Sequence, residues 1–161
     1  MNDAATRGKD GAADKKFIVA PMEMQHLDAV FEIERHSFLS PWSRKSLEKE
    51  LTENERAVYL TALDGAVVVG YAGMWRVVNE GHITNIAVEE TRRGQGVGGL
   101  LLKRLIEIAV EGEMMGLTLE VGVHNLPAQR LYTKFGFKAE GIRKNYYRDL
   151  REDAIIMWKY L

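Results

Sequence analysis

Four glycines stand within residues 92–99, RRGQGVGG, immediately ahead of the apolar run LLLKRLIEIAV. Each glycine inside a helix costs about 1 kcal/mol relative to alanine. Their concentration where a helix begins points to a backbone that side chains would obstruct. A glycine-rich turn from strand to helix exposes main-chain N–H groups at the positive end of the helix dipole, where an anion is favoured. Without Cβ atoms, the backbone can meet a phosphate directly. Arg92 and Arg93 at the entrance, with Lys103 and Arg104 further on, add positive potential. A pyrophosphate-bearing ligand fits this pattern. A nucleotide P-loop would require Lys and Ser or Thr after its last glycine, and here Gly98 is followed by Gly99 and Leu100. A dinucleotide fingerprint would require a doubly wound sheet, whereas hairpins precede this turn. The glycines themselves leave two readings open, a phosphate cradle and a tight packing of helix on strand.

The elements that must position this turn are readable on either side of it. FIVAPM (17–22) reads as a first strand, placed at a sheet edge by Pro21. MQHLDAVFEIERHSF carries Leu27, Val30, Phe31, Ile33 and Phe38 at amphipathic-helix spacing. SPWS breaks the chain, and Ser43 is placed to cap a second helix, RKSLEKELTE. AVYLTALDGAVVVGYAGMWRVV reads as two strands about an Asp64-Gly65 turn. GHITNIAVEE is a further strand, followed by the glycine turn and a helix from Gly96 to Met114. LTLEVGV (117–123) is a buried strand, and LPAQRLYTKFG a helix stopped by Gly136. FKAEGIRKNYY and DAIIMWKYL complete the order β-α-α-β-β-β-α-β-α-β-β. This order predicts an α/β fold with one mixed sheet, in which a right-handed crossover sets TNIAV and LTLEV parallel.

Composition limits the function classes. The chain has 161 residues, enough for one domain with a sizeable core, and its net charge of −1 gives no basic field for nucleic acid. It has no cysteine, which excludes a disulfide framework, a thiolate metal site and a cysteine nucleophile. Four histidines, His26, His36, His82 and His124, show no ligand spacing, so no metal is expected. Residues 1–16 read as a disordered leader and 17–161 as the single domain. No apolar run reaches membrane-spanning length, and a cytoplasmic protein is expected.

Within that frame, Arg93-x-x-Gly96-x-Gly98 after the strand NIAV, together with Asn125-x-x-Ala128-x-x-Leu131-Tyr132-x-x-x-Gly136-Phe137, resembles the GNAT superfamily of N-acetyltransferases over nearly the whole chain beyond the leader. SPWS, LEV before Asn125, and IRKNYY with REDAIIM are similar to its bacterial ribosomal-protein-alanine branch. The resemblance implies acetyl-CoA as donor and a protein N-terminal amine as acceptor, with a small-subunit ribosomal protein as partner. It also implies a sheet of about seven mostly antiparallel strands with helices on both faces, whose central parallel pair splays to admit pantetheine. By the same resemblance, Ile86, Ala87 and Val88 lie along the pantetheine arm. Arg93, Gly94, Gln95, Gly96, Val97, Gly98 and Gly99 form the pyrophosphate loop, and Asn125 touches the coenzyme. Glu120 matches the general base and Tyr132 the general acid. Gly122 departs from the family, which often has arginine there.

The chemistry asked of these positions is acetyl transfer to a neutral amine. At pH 7 roughly a tenth of an α-amine is neutral, against about one lysine in 2,500, so an N-terminus needs only modest help. A carboxylate such as Glu120 can act as base, directly or through water. Tyr132 is expected to return a proton to the departing thiol. Strand alternation sets Leu117, Leu119, Val121 and Val123 on one face, and Thr118, Glu120 and Gly122 on the other, with small neighbours leaving space beside Glu120. On position alone, Glu120 also fits a solvent-facing strand residue, Tyr132 a core residue and Asn125 a helix N-cap. Trp42, Tyr146 and Tyr147 are candidates for the acceptor channel or for ordinary aromatic packing. Arg151 to Asp153 read as a solvated turn. Transfer would be direct, through a ternary complex, with NIAV amides polarising the thioester carbonyl. Two alternatives keep the donor site: acetyl transfer to lysine or a small-molecule amine, and a coenzyme-A-binding module without turnover.

Overall fold

The computed structural model describes residues 16–161, so the expected leader lies outside the described residues except for Lys16. Seven strands form one sheet: β1 (Phe17–Pro21), β2 (Ala57–Asp64), β3 (Val67–Val77), β4 (Glu80–Val88), β5 (Gly116–Gly122), β6 (Lys138–Tyr147) and β7 (Glu152–Tyr160). Four helices accompany them: α1 (Leu27–Ser37), α2 (Arg44–Thr52), α3 (Val97–Glu111) and α4 (Leu126–Lys134). The element order is the expected one, with short 3₁₀ turns added at Met24–His26, Glu90–Arg92 and Arg148–Leu150. In space the strands run β1-β2-β3-β4-β5-β7-β6, and β4–β5 is the parallel pair.

Local chemistry accounts for most element ends. The β2–β3 hairpin turns at Gly65, which has φ of 61° and so suits glycine. The Ser43 side chain accepts the Ser46 N–H at the head of α2. Gly136, at φ of 91°, follows the last turn of α4. Two expectations need correction. Helix α3 stops at Glu111 rather than Met114, because the chain turns at Gly112 and Glu113 takes a left-handed φ of 54°. Phe38 is not part of the buried stripe of α1. It caps that helix in an extended conformation and is 40% exposed, while Glu34 takes a buried place beside Leu27, Val30 and Ile33.

Two apolar layers clothe the sheet. On one face, Val97, Leu101, Leu102, Leu105 and Ala109 of α3 pack with Leu117, Leu119 and Val121 of β5, and Leu131, Tyr132 and Phe135 join from α4 and just beyond it. The stripe on α3 follows helical spacing. On the other face, Leu27, Val30, Ile33 and Leu47 of α1 and α2 cover Tyr59, Tyr71 and Ala87.

Between these layers β4 and β5 separate. Their register covers only Glu80↔Gly116, Gly81↔Leu117 and His82↔Thr118. The residues from Ile83 to Val88 have no register partner on β5. The TNIAV and LTLEV segments are thus parallel in direction, but they diverge instead of pairing, which is the expected splay. A bulge on β4 sits just past the last pair. The register with β3 passes from Met74↔Ile83 to Gly73↔Asn85 and leaves Thr84 extra. Gly73 is required there, since a Cβ would lie 2.6 Å from the Tyr59 ring and 2.9 Å from Thr84 Oγ1.

Candidate active site

The glycine turn divides into two parts. Gly94 and Gly96 adopt φ of 76° and 85°, and a Cβ at either would point into open space. Gly98 and Gly99 instead lie in the first turn of α3, where a Cβ would meet Leu131 at 3.4 Å and Phe135 at 3.5 Å. The open backbone and the close helix packing are therefore both present, at different glycines. Gly96 caps α3, and the first intrahelical bond, from Leu100 N–H, reaches Gly96 O at 3.1 Å. The amides of Val97, Gly98 and Gly99 precede that bond, as the first amides of any helix do. These unshielded donors and bare Cα atoms fit a diphosphate. The expected basic surround is narrower than the sequence suggests. Arg92 pairs with Asp64, and Arg104 pairs with Glu107 and Glu111. Arg93 folds back, with its Nε–H on Val88 O at 3.1 Å, and Gln95 Nε2 donates to Thr91 O at 3.4 Å. Two of the four expected cations are thus matched by carboxylates, while Arg93 and the main-chain amides remain to attract an anion.

Glu120 occupies the fork. Its side chain is only 7% exposed, so it is not a solvent-facing strand residue. His82 Nε2–H donates to Glu120 Oε2 at 2.7 Å, and Arg143 Nε lies 3.3 Å from Oε1. Burial opposes ionisation of Glu120, but the His82 hydrogen bond and the charges of His82 and Arg143 outweigh it and hold the carboxyl below its usual range. The bond to Glu120 also fixes the orientation of the His82 ring. The space expected over Gly122 is not open. Glu152 folds over that bare Cα, and a Cβ would sit 2.7 Å from its Oε1. Glu152 also accepts the His124 N–H at 2.8 Å, and Asp153 accepts the Asn145 N–H at 2.7 Å. Both acids begin β7 and anchor neighbouring turns, so only Arg151 of the expected solvated turn fits that description, being exposed and left-handed at φ of 49°.

Tyr146 and Tyr147 lie beside Glu120. Tyr146 and Tyr147 meet edge to face at 5.0 Å, and the Tyr147 hydroxyl donates to Glu120 O at 3.4 Å. Burial, then the neighbouring Tyr146, Tyr132 and Glu120, pushes the Tyr147 hydroxyl up. Tyr132 packs against Phe137 at 5.9 Å, and burial pushes its hydroxyl up to about 12. Tyr132 is therefore a hydrogen-bond donor held firmly protonated. Burial thus favours the protonated, donating form of its hydroxyl. Asn125 does cap α4, its side chain accepting the Ala128 N–H at 3.3 Å. Trp42 stands with the α1–α2 layer, its ring 6.3 Å from that of Trp75 and its main-chain N–H donating to Glu34 Oε1 at 3.1 Å. Its loop nevertheless reaches the β6–β7 turn, where the Ser40 hydroxyl meets the Asp149 carboxylate.

His82 and Arg143 are the members of this cluster that sequence reasoning missed. Nothing in their local spacing marks them. The one usable signal was the parallel crossover, which puts the start of GHITNIAV beside the residues leading to Glu120.

Known proteins share this architecture. The profile of the acetyltransferase (GNAT) family matches residues 27–137. A Bacillus subtilis (strain 168) protein, provisionally named as a ribosomal protein bS18-alanine N-acetyltransferase, is 46% identical over 89% of this chain and 95% of its own length. The Haemophilus influenzae ribosomal protein bS18-alanine N-acetyltransferase is 36% identical over 89% of this chain and 99% of its own. The crystal structure of the Escherichia coli ribosomal-protein-S18-alanine N-acetyltransferase superposes with a TM-score of 0.82 at 33% identity, covering 89% of this chain and 93% of that one. With the family profile spanning most of the described residues and close relatives matching nearly end to end, the chain belongs to the GNAT family of acetyltransferases.

Proposed function

We propose that this chain transfers the acetyl group of acetyl-CoA to a protein N-terminal α-amine, that of an N-terminal alanine on a small-subunit ribosomal protein. The observation that carries this reading is the buried Glu120 carboxyl, bonded to His82, where β4 and β5 part. The relatives named above support the acceptor assignment, and a cytoplasmic reaction goes with such a substrate.

The donor lies along the fork in this reading. Amides of the Gly94 to Gly99 turn hold the diphosphate, with Arg93 and Gln95 shaping the loop and Asn125 beside the coenzyme. On the edge of β4 that has left β5, main-chain groups of the Ile86, Ala87 and Val88 stretch bond the pantetheine arm and polarise the carbonyl. Acetyl-CoA, when bound, supplies an activated acetyl group as its thioester. Glu120 attracts the acceptor ammonium, but its lowered pKa makes it a weak base alone. His82 holds the carboxylate in place through its Nε2 bond, and Glu120 takes the amine proton directly or through water. The Tyr132 hydroxyl donates to the departing sulfur and gives it its proton as the C–S bond breaks, and solvent then reprotonates the phenolate. Tyr146, Tyr147 and Trp42 line the acceptor channel.

The test is thiol release with peptides that differ only in a free α-amine or a lysine amine. Turnover should follow the alanine-first α-amine. Preference for lysine would instead support a lysine or small-molecule acceptor, and acetyl-CoA binding without turnover on any amine would support a binding module.

A further inference from the structure

The carboxyl of Glu34 has no part in the chemistry above, yet it is only 1% exposed. It lies in the stripe of α1 beside Leu27, Val30 and Ile33, where an aliphatic side chain would satisfy the packing. Burying a carboxyl costs several kcal/mol unless it is well bonded. Its bonds explain its place. One oxygen accepts the Trp42 N–H at 3.1 Å, and the other accepts the Tyr71 hydroxyl. Tyr71 is itself fully buried and receives Asn85 Nδ2–H at 3.4 Å.

These partners belong to three separate elements. Trp42 lies on the loop between α1 and α2, Tyr71 on β3, and Asn85 on β4 directly after the bulge at Thr84. The same loop touches the β6–β7 turn through Ser40 and Asp149, beyond Tyr146 and Tyr147. One buried side chain thus links a loop bordering the acceptor side to the strand that leaves β5 at the fork. Burial raises the carboxyl's pKa, and the bonds from Tyr71, Trp42 and Asn85 oppose that rise.

We propose that Glu34 is a positioning residue for the acceptor, fixing the Trp42 loop over the fork so that an incoming N-terminus meets Glu120. The proposal rests on the reading of the fork as the site of acetyl transfer. It predicts a division between substrates, because the loop borders the acceptor and the glycine turn holds the donor.

The experiment compares full-length Glu34→Ala, Glu34→Gln and Tyr71→Phe with the unmodified chain. It measures KM for an alanine-first peptide and for acetyl-CoA, with hydrogen exchange over residues 38–43. Glu34→Ala should raise peptide KM about tenfold and speed exchange at Trp42, while acetyl-CoA KM stays within about twofold. Glu34→Gln should recover most of the loss, since its amide oxygen still accepts the Trp42 N–H. Should the alanine variant not fold, Tyr71→Phe opens little space and should raise peptide KM about threefold with acetyl-CoA KM unchanged. Unchanged peptide KM in the folded variants, or both KM values rising together, overturns the positioning role alone. An unmodified chain that acetylates no N-terminal peptide overturns this role and the transfer reading together.

Discussion

The turn from Arg93 to Gly99 and the cluster at Glu120 lie along the same strand pair but are built in opposite ways. The turn offers main-chain amides of consecutive residues, shaped by Gly94 and Gly96 and by the start of α3. The cluster works through side chains from different strands: His82 on β4, Glu120 on β5, and Arg143 and Tyr147 on β6. A main-chain site depends on local conformation and tolerates change in most of its side chains. A side-chain site depends on the sheet register and fails when one group is altered.

That contrast can be broken by mutation. The largest effect belongs to Glu120→Gln, which removes the carboxylate and keeps its size. Steady-state kinetics should show kcat for peptide acetylation falling by about 10² to 10⁴. His82→Ala should lower kcat/KM by roughly 10- to 100-fold, the worth of a hydrogen bond to a charged group. It should also move the acid limb of the pH profile upward. His82 and Arg143 depress the Glu120 pKa against burial, so without His82 the carboxyl protonates at higher pH. A pH–rate profile with an unmoved acid limb would separate His82 from Glu120. The same depressed pKa implies stability that is present above the ordinary carboxylate range and lost as pH falls below it.

On the donor side, Gly96→Val places a branched residue at φ of 85°. Acetyl-CoA affinity measured by calorimetry should weaken about tenfold, matching the 1–2 kcal/mol cost of a left-handed backbone. The smallest effect is at Gly122→Ala, whose Cβ would press on the Glu152 carboxylate. Because that carboxylate is the end of a flexible chain, urea unfolding should show a loss of about 1 kcal/mol.

What the sequence made legible follows the same division. The Asp64-Gly65 hairpin, the Ser43 cap, the Gly136 stop and the glycine turn are local, and each is a feature of backbone chemistry that neighbouring residues declare. The resemblance marked Glu120 and Tyr132 by motif. What escaped was the environment of each. The His82 bond needs the β4–β5 register, and the filling of Gly122 needs Glu152 from β7. The burial of Glu34 needs Tyr71 and Trp42 to close over it. The same holds for Arg92 and Arg104, whose charges look free in the sequence and are paired in the fold.

The most direct test of the two-part site is a calorimetric titration of acetyl-CoA into the unmodified chain and into Glu120→Gln, with turnover on an alanine-first peptide measured in parallel. Donor affinity should be equal in both, with turnover in the unmodified chain alone. Absence of binding heat in the unmodified chain, or donor binding lost with Glu120, would contradict the two-part site.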